Sequence, residues 1–428
     1  MHAIYPQKTN SNSKMTSRER ILTSIKHQEP DRVPVDFGAT PSSGISAIAY
    51  NNLKKHLGID PRPTKVYDVV QQLAEPDDLV LEMFNIDVVD IGRAYSSLNS
   101  DWHEIKLADS SPAHYPVWFN PELKDDGIWY ASDKSGQILA KMPPGATFFD
   151  QVYFPYIDGY PENFKDLSHA MSKSMWAAFP VPPWSKVDED DFWPDLRKKT
   201  IQLRDSGRAT IIGVGCNLFE WGTFLRRMDN FLMDLILEPD KVEALLDALM
   251  ENHLETLEKV CYWLGDVADF VKFGDDLGMQ NGPFMSPETY RQLFKPRHTQ
   301  LCDYAKKNSK MHTFLHSCGS IYQLMPDLIE AGFEVINPVQ TNTQDMDPVQ
   351  LKKEFGKDVT FWGGGIETSS VLNNGTTEDV REMVLRRLEI FAPGGGFVFN
   401  TIHNILPDVP PENIVAMFDA INEFNGHK

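Results

Sequence analysis

The sequence is short of cysteine, short of basic residues relative to acidic ones, and free of long apolar runs. Only four cysteines (Cys216, Cys261, Cys302, Cys318) occur among 428 residues, widely and irregularly spaced. That spacing excludes a disulfide framework and predicts reduced thiols. Lysine and arginine number 41 against 61 aspartates and glutamates, a formal net charge of -20. Such a surface repels nucleic acid and anionic membranes, so a protein or small-molecule partner is expected instead. No apolar stretch reaches membrane-spanning length and no low-complexity tract interrupts the chain. The opening "MHAIYPQKTNSNSKM" lacks the apolar segment of a signal peptide and reads as a flexible arm over residues 1–15, which predicts a cytoplasmic protein. Nor does a G-x-G-x-x-G follow the first candidate strand, which disfavours an open dinucleotide-binding sheet.

What is present has the size and hydrophobic content of a globular protein with a large core. "TSRERILTSIKHQEPDRVPVDF" opens with a helix capped by Thr16 or Ser17, carries Ile21, Leu22 and Ile25 at helical spacing, and breaks at Pro30 before a strand over 33–37. "NIDVVDIG" gives a second strand near Val88. From Thr210 onward the apolar runs "IIGVG", "DFVKFG", "HTFLH", "EVINPV", "VTFWGG" and "GFVFNT" alternate with segments of helical period, the signature of a parallel sheet. Two early and six late strands make eight, so the spacing predicts an α/β chain folded as a (β/α)8 TIM barrel over 16–428. Residues 96–194 differ, being rich in Trp, Tyr, Phe and Pro. They predict an insertion after the second strand that covers the barrel mouth, with "GIWYASDKSGQILAKM" as a hairpin turning at 133–136. Its Trp118, Trp129, Tyr130, Phe148, Phe149, Tyr153 and Phe154 either wall an apolar substrate pocket or form a satellite cluster under a long loop.

In a barrel the active site is built at the carboxyl ends of the strands. The residues just past the apolar runs are Glu220, Asp275, Asp276, His316, Cys318, Asn337, Glu367 and His403. Side chains two apart on a strand share a face, so His316 and Cys318 can reach one ion or one pocket. Glu220, Asp275 and Asp276 are the candidate catalytic acids, and Asn337 a candidate substrate contact. Taken singly, Glu220 or Asp276 equally suits a helix N-cap, and Cys318 a small buried residue; together at one rim they point to function.

Three stretches, "MTSRERILTSIKHQEPDRVPVDF", "LHSCGSIYQLMPDLIEAGFEVINPVQ" and "GGGFVFNTIHNILPDVPPENIVAMFDA", resemble the uroporphyrinogen decarboxylase superfamily, most closely its corrinoid-linked methyltransferase branch. The resemblance implies the barrel fold, a Zn2+ ion, and a corrinoid carried by a separate protein. The methylcobamide:coenzyme M methyltransferases of that branch bind zinc through a His-x-Cys after the fifth strand and a cysteine after the eighth. His316 and Cys318 match the first pair, and His403 stands at the third position, with Glu367 or Glu220 as the expected fourth ligand. Glu367, Glu382 and His403 also match the Glu-x14-Glu-x20-His spacing of ether-cleaving methyltransferases, with Glu382 inside a helix expected outside the barrel. Decarboxylases of the superfamily carry an Arg-rich segment after the first strand. Here that segment reads "VPVDFGATPSSG", with no arginine between Arg32 and Arg62, which offers a polycarboxylate few cationic partners.

An imidazole in place of a thiolate leaves the zinc more cationic and better suited to polarising an oxygen that must leave. The expected function is therefore a zinc-dependent transfer of a methyl group from a methyl ether, aryl in view of the aromatic segment, to the Co(I) of a corrinoid protein. Methyl transfer to a thiol, decarboxylation and non-catalytic binding are the alternatives.

Overall fold

The computed structural model describes residues 15–59 and 62–426, so apart from Met15 the expected arm lies outside the described residues. The helix Ser17–Ile25 starts at a capping box: the Thr16 hydroxyl accepts the Glu19 amide, and the Glu19 carboxylate accepts the Thr16 amide. Its buried Ile21 and Ile25 lie one turn apart on the face that packs inward.

The apolar runs become one parallel sheet whose spatial order is the chain order. Its strands are β1 (Val88–Asp90), β2 (Ala209–Gly215), β3 (Phe270–Gly274), β4 (His312–His316), β5 (Val335–Asn337), β6 (Thr360–Trp362) and β7 (Phe397–Val398). Helices such as Pro239–Leu264, Lys295–Asn308 and Thr377–Phe391 connect successive strands, as parallel pairing requires. The expected first strand, 33–37, is reduced to a bridge. Val35 pairs in parallel with Phe399, the Asp36 amide donates to the Phe399 carbonyl at 2.8 Å, and the Asp87 amide donates to the Val35 carbonyl at 2.9 Å. This one segment therefore bonds to both ends of the seven-stranded sheet. Pro34, which has no N–H, limits it to so short a pairing.

One face of the strands packs on the helices. The other encloses a separate core that includes Val88, Ile211, Phe270, Phe314, Val335, Trp362 and Val398. Phe270, Phe314 and Trp362 meet edge to face with centroids 5.2 to 6.5 Å apart. Such pairs add about 1 kcal/mol each beyond their burial. Because side chains alternate, the residues two further along share this inner face. They are Asp90, Lys272, His316, Asn337 and Asn400. Asp36 joins them, its carboxylate accepting the Trp362 indole N–H at 2.8 Å. A polar layer thus rests on an aromatic floor at the carboxyl ends of the strands.

Two accessory sheets flank this end. One orders Ile45–Ser46, Leu73–Ala74, Thr64–Asp68, Pro112–Pro116 and Trp102–Lys106; the other orders Asp150–Gln151, Ile138–Met142, Trp129–Ser132 and Glu122–Leu123. The expected hairpin forms, with the Gly136 amide donating to the Asp133 carbonyl at 3.0 Å. The aromatic segment is not self-contained within 96–194, however. Thr64–Asp68 pairs with Pro112–Pro116, so residues that precede β1 complete its sheet. No described helix is long and apolar enough to cross a membrane.

Candidate metal centre

His316 ends β4, Cys318 follows two residues later, and His403 lies in the loop after β7. One ligand atom from each of the three lies within 4.8 Å of the other two. The Cys318 sulfur is 3.5 Å from His316 Nε2, and the two imidazole centroids are 6.3 Å apart. The glycine of the "HSCGS" run is required by this arrangement. Gly319 has φ +85°, and a Cβ there would lie 2.2 Å from the backbone of Gly278, whose own amide donates to the Cys318 carbonyl at 3.1 Å. The loops after β3 and β4 are thereby pressed together beneath Cys318.

Asn337 fixes which nitrogen His316 offers. Its side-chain nitrogen donates to the Trp362 carbonyl at 2.8 Å, which turns its oxygen toward His316 Nδ1 at 2.7 Å and the Ser42 hydroxyl at 2.8 Å. Nδ1 then carries the proton and Nε2 keeps its lone pair toward Cys318 and His403. Asn337 is wholly buried, with its side-chain oxygen and nitrogen both bonded to protein, so it orients His316 rather than serving as the substrate contact that its position suggested.

The surroundings are rich in carboxylates. Asp276 Oδ1 is 3.5 Å from His316 Nε2 and accepts the Cys318 amide at 2.9 Å. Glu220 accepts the Asp276 amide at 3.2 Å and the Asn217 side-chain amide. Burial, with Asp276 and Asp275 close by, pushes the Glu220 carboxyl well up. The same burial, reinforced by Asp276 and Glu220, pushes the Cys318 thiol well up. Burial lowers His316 to about 4 and also lowers His403, so both imidazoles are neutral at physiological pH. Two neutral imidazoles and one thiol converging beside acids form a nitrogen–sulfur donor set that a dication would stabilise, and it fits zinc.

The other expected residues are dispersed. Asp275 faces away from the cluster. Its carboxylate accepts the amides of Leu218, Phe219 and Glu220 at 3.2, 3.0 and 2.9 Å and lies 3.2 Å from His298 Nε2, so it clamps the amino end of the helix Phe219–Arg226. Glu367 accepts the Ser370 hydroxyl at 2.8 Å and lies 3.4 Å from Arg387, outside the three-residue cluster. Glu382 is exposed on Thr377–Phe391. Phe154, Phe148 and Phe149 line a cavity of about 450 Å³ with Trp176, Phe224 and His403. Trp118, Trp129 and Tyr153 do not line it. Trp118 is 38% exposed against Phe119, Trp129 lines a separate cavity of about 500 Å³ between the accessory sheets, and Tyr153 packs on the main core. Sequence reading also passed over Lys272, Asp36 and Asp90, because each sits inside or beside an apolar run. A lysine at the centre of "FVKFG" was the available signal.

The profile of the uroporphyrinogen decarboxylase (URO-D) family matches residues 198–424. A methylcobamide:CoM methyltransferase, MtaA, from Methanosarcina barkeri is 29% identical over 37% of this chain and 42% of its own length. A uroporphyrinogen decarboxylase from Pseudoalteromonas translucida is 46% identical over 12% of this chain and 15% of its own. These matches span less than half the length of either relative. In fold, a methyltransferase from Methanosarcina mazei superposes with a TM-score of 0.56 at 17% identity, covering 96% of this chain and 99% of that one. The family profile spans more than half of the sequence, including every residue of the metal cluster. This chain therefore belongs to the uroporphyrinogen decarboxylase family.

Proposed function

We propose that this protein is a zinc-dependent methyltransferase that removes the methyl group of an aryl methyl ether and passes it to the Co(I) of a corrinoid held by a separate protein. The observation that carries this reading is the double position of His403, which belongs both to the metal cluster and to the wall of the aromatic cavity. His316, Cys318 and His403 would hold the zinc, which supplies Lewis acidity at the cavity wall when bound. Phe148, Phe149, Phe154 and Trp176 would stack the aryl ring and exclude water. Asp276 orders the Cys318 loop by accepting the Cys318 amide, and Glu220 in turn accepts the Asp276 amide. This reading takes 16–428 as one eight-stranded barrel closed through Val35, with the 96–194 segment as its cover.

A second reading, methyl transfer from a methylcorrinoid to a thiol, is favoured by the stretch shared with the methylcobamide:CoM methyltransferase. Decarboxylation of a porphyrinogen is disfavoured because the arginines near the first barrel segment are already engaged. Arg20 pairs with Asp31 and Asp87 at 2.6 and 2.7 Å, and Arg32 pairs with Asp87 at 2.7 Å. The test is to assay zinc-loaded protein for methylation of a Co(I) corrinoid protein by aryl methyl ethers, and for methylation of thiols by methylcobalamin. Thiol methylation without any ether cleavage would reject the first reading in favour of the second.

A further inference from the structure

Lys272 occupies the middle of β3, on the inner face between Phe270 of the aromatic floor and Gly274. Gly274 is in register with His316 of the neighbouring strand and Lys272 with Phe314, so Lys272 sits one inward step below the metal cluster. Of the five residues in β3 it alone stays partly accessible. The ordinary role of an interior cation is an ion pair, as Arg20 makes with Asp87 at 2.7 Å. Among the described residues Lys272 has no hydrogen bond and no carboxylate within 4.0 Å. Its charge nonetheless acts on Asp36, Asp68 and Asp90, and on Glu220, Asp276, His316 and Cys318. The acids hold the ammonium charged at longer range and leave its three N–H donors unspent.

We propose that Lys272 donates a proton to the oxygen that leaves when the methyl group is removed, a role that rests on the ether-cleaving reading above. In that step the methyl carbon–oxygen bond breaks and its electron pair stays on oxygen. The Nζ proton passes to that oxygen, giving the phenol and a neutral amine. The carbon bonds to the Co(I) of the corrinoid protein, which supplies both electrons of the new bond. Burial lowers the affinity of Lys272 for its proton, against the opposing pull of Asp90, Glu220 and Asp276, which favours release. Asp36 and Asp90, raised by burial to about 6 and about 7, are the inner-face carboxyls that would return a proton to the amine.

The test compares Lys272→Met with the natural protein, both zinc-loaded and with zinc content measured. With the corrinoid partner and methyl ethers of graded leaving-group acidity, Lys272→Met should slow cleavage about 100-fold for weakly acidic phenols and little for a nitrophenyl methyl ether. A turnover-free readout uses 4-nitrophenol bound without the corrinoid protein. Its absorbance should show the bound phenol losing its proton about one pH unit higher in Lys272→Met. Lys272→Arg, which keeps the cation, should retain the natural spectrum and covers the case in which Lys272→Met fails to fold. Normal zinc with an unshifted nitrophenol spectrum, or equal slowing for every ether, would overturn the proposal. Absence of ether cleavage by the natural protein would refute the function above, while the nitrophenol titration still reports on Lys272.

Discussion

Replacing Asn337 by leucine should weaken zinc binding far more than its distance from the metal suggests. The substitution keeps the side-chain volume and removes three hydrogen bonds at once, to His316 Nδ1, to the Ser42 hydroxyl and to the Trp362 carbonyl. Leaving a buried polar group unpaired costs about 1 to 3 kcal/mol, so the fold should lose several kcal/mol, with the Trp362 carbonyl and the Ser42 hydroxyl contributing most. The His316 ring would also lose the acceptor that holds its proton on Nδ1. Removing such an orienting partner typically lowers metal affinity 10- to 100-fold, or about 1.4 to 2.7 kcal/mol. Competition against a zinc chelator, run well below the melting temperature of the variant, measures this directly. Ser42→Ala is the control, since it removes one bond to the same oxygen but leaves the imidazole contact; it should change zinc affinity less than threefold. A variant with lowered thermal stability but unchanged zinc affinity would show that the amide only fills the interior, and the orienting argument would fail.

Cys318→Ser should abolish most zinc binding while the chain stays folded, because the sulfur is one of three converging donors and a serine hydroxyl is a far weaker zinc ligand; full zinc content by metal analysis would remove the site. Asp275→Ala should instead leave zinc in place and cost about 3 kcal/mol or more in denaturant unfolding, because the carboxylate caps three amides at a buried helix start. Stability should also carry a histidine component from His253, which burial lowers to about 4 and whose Nε2 lies 2.8 Å from the Asn217 carbonyl. The unfolded chain protonates it first as pH falls below about 6.5, so stability present above that value declines toward pH 4, by about 3 kcal/mol at most. His253→Gln should flatten that slope, and an unchanged slope would contradict the assignment. Phe154→Ala should raise KM for an aryl ether about tenfold and leave zinc unaffected, since one wall of the cavity is lost and no ligand is touched; an unchanged KM would move the substrate elsewhere.

The sequence by itself determined the elements and their order. Periodicity located β2 through β7 and the helices between them, because a fully buried strand must be an apolar run and a helix covering it must repeat at its own period. It also located His316 and Cys318 on one face, since alternation along a strand is local geometry. What only the tertiary structure decided is which groups meet across strands. Asp275 and Asp276 are adjacent in sequence and point to opposite tasks, one capping a helix and the other bordering the metal cluster. Asn337 looked like a substrate contact and lies wholly buried, bonded to Ser42, His316 and Trp362. Trp129 and Phe154 belong to one aromatic segment yet line different cavities, Trp129 with His103 and Ile105 of the other accessory sheet and Phe154 with His403. Lys272 was hidden by its surroundings: within "FVKFG" the apolar neighbours mark a buried strand, and only strand register shows that its inner face rises from the aromatic floor to the metal cluster. Local spacing encodes which face a side chain takes, whereas the partner on that face is set by contacts between segments tens to hundreds of residues apart.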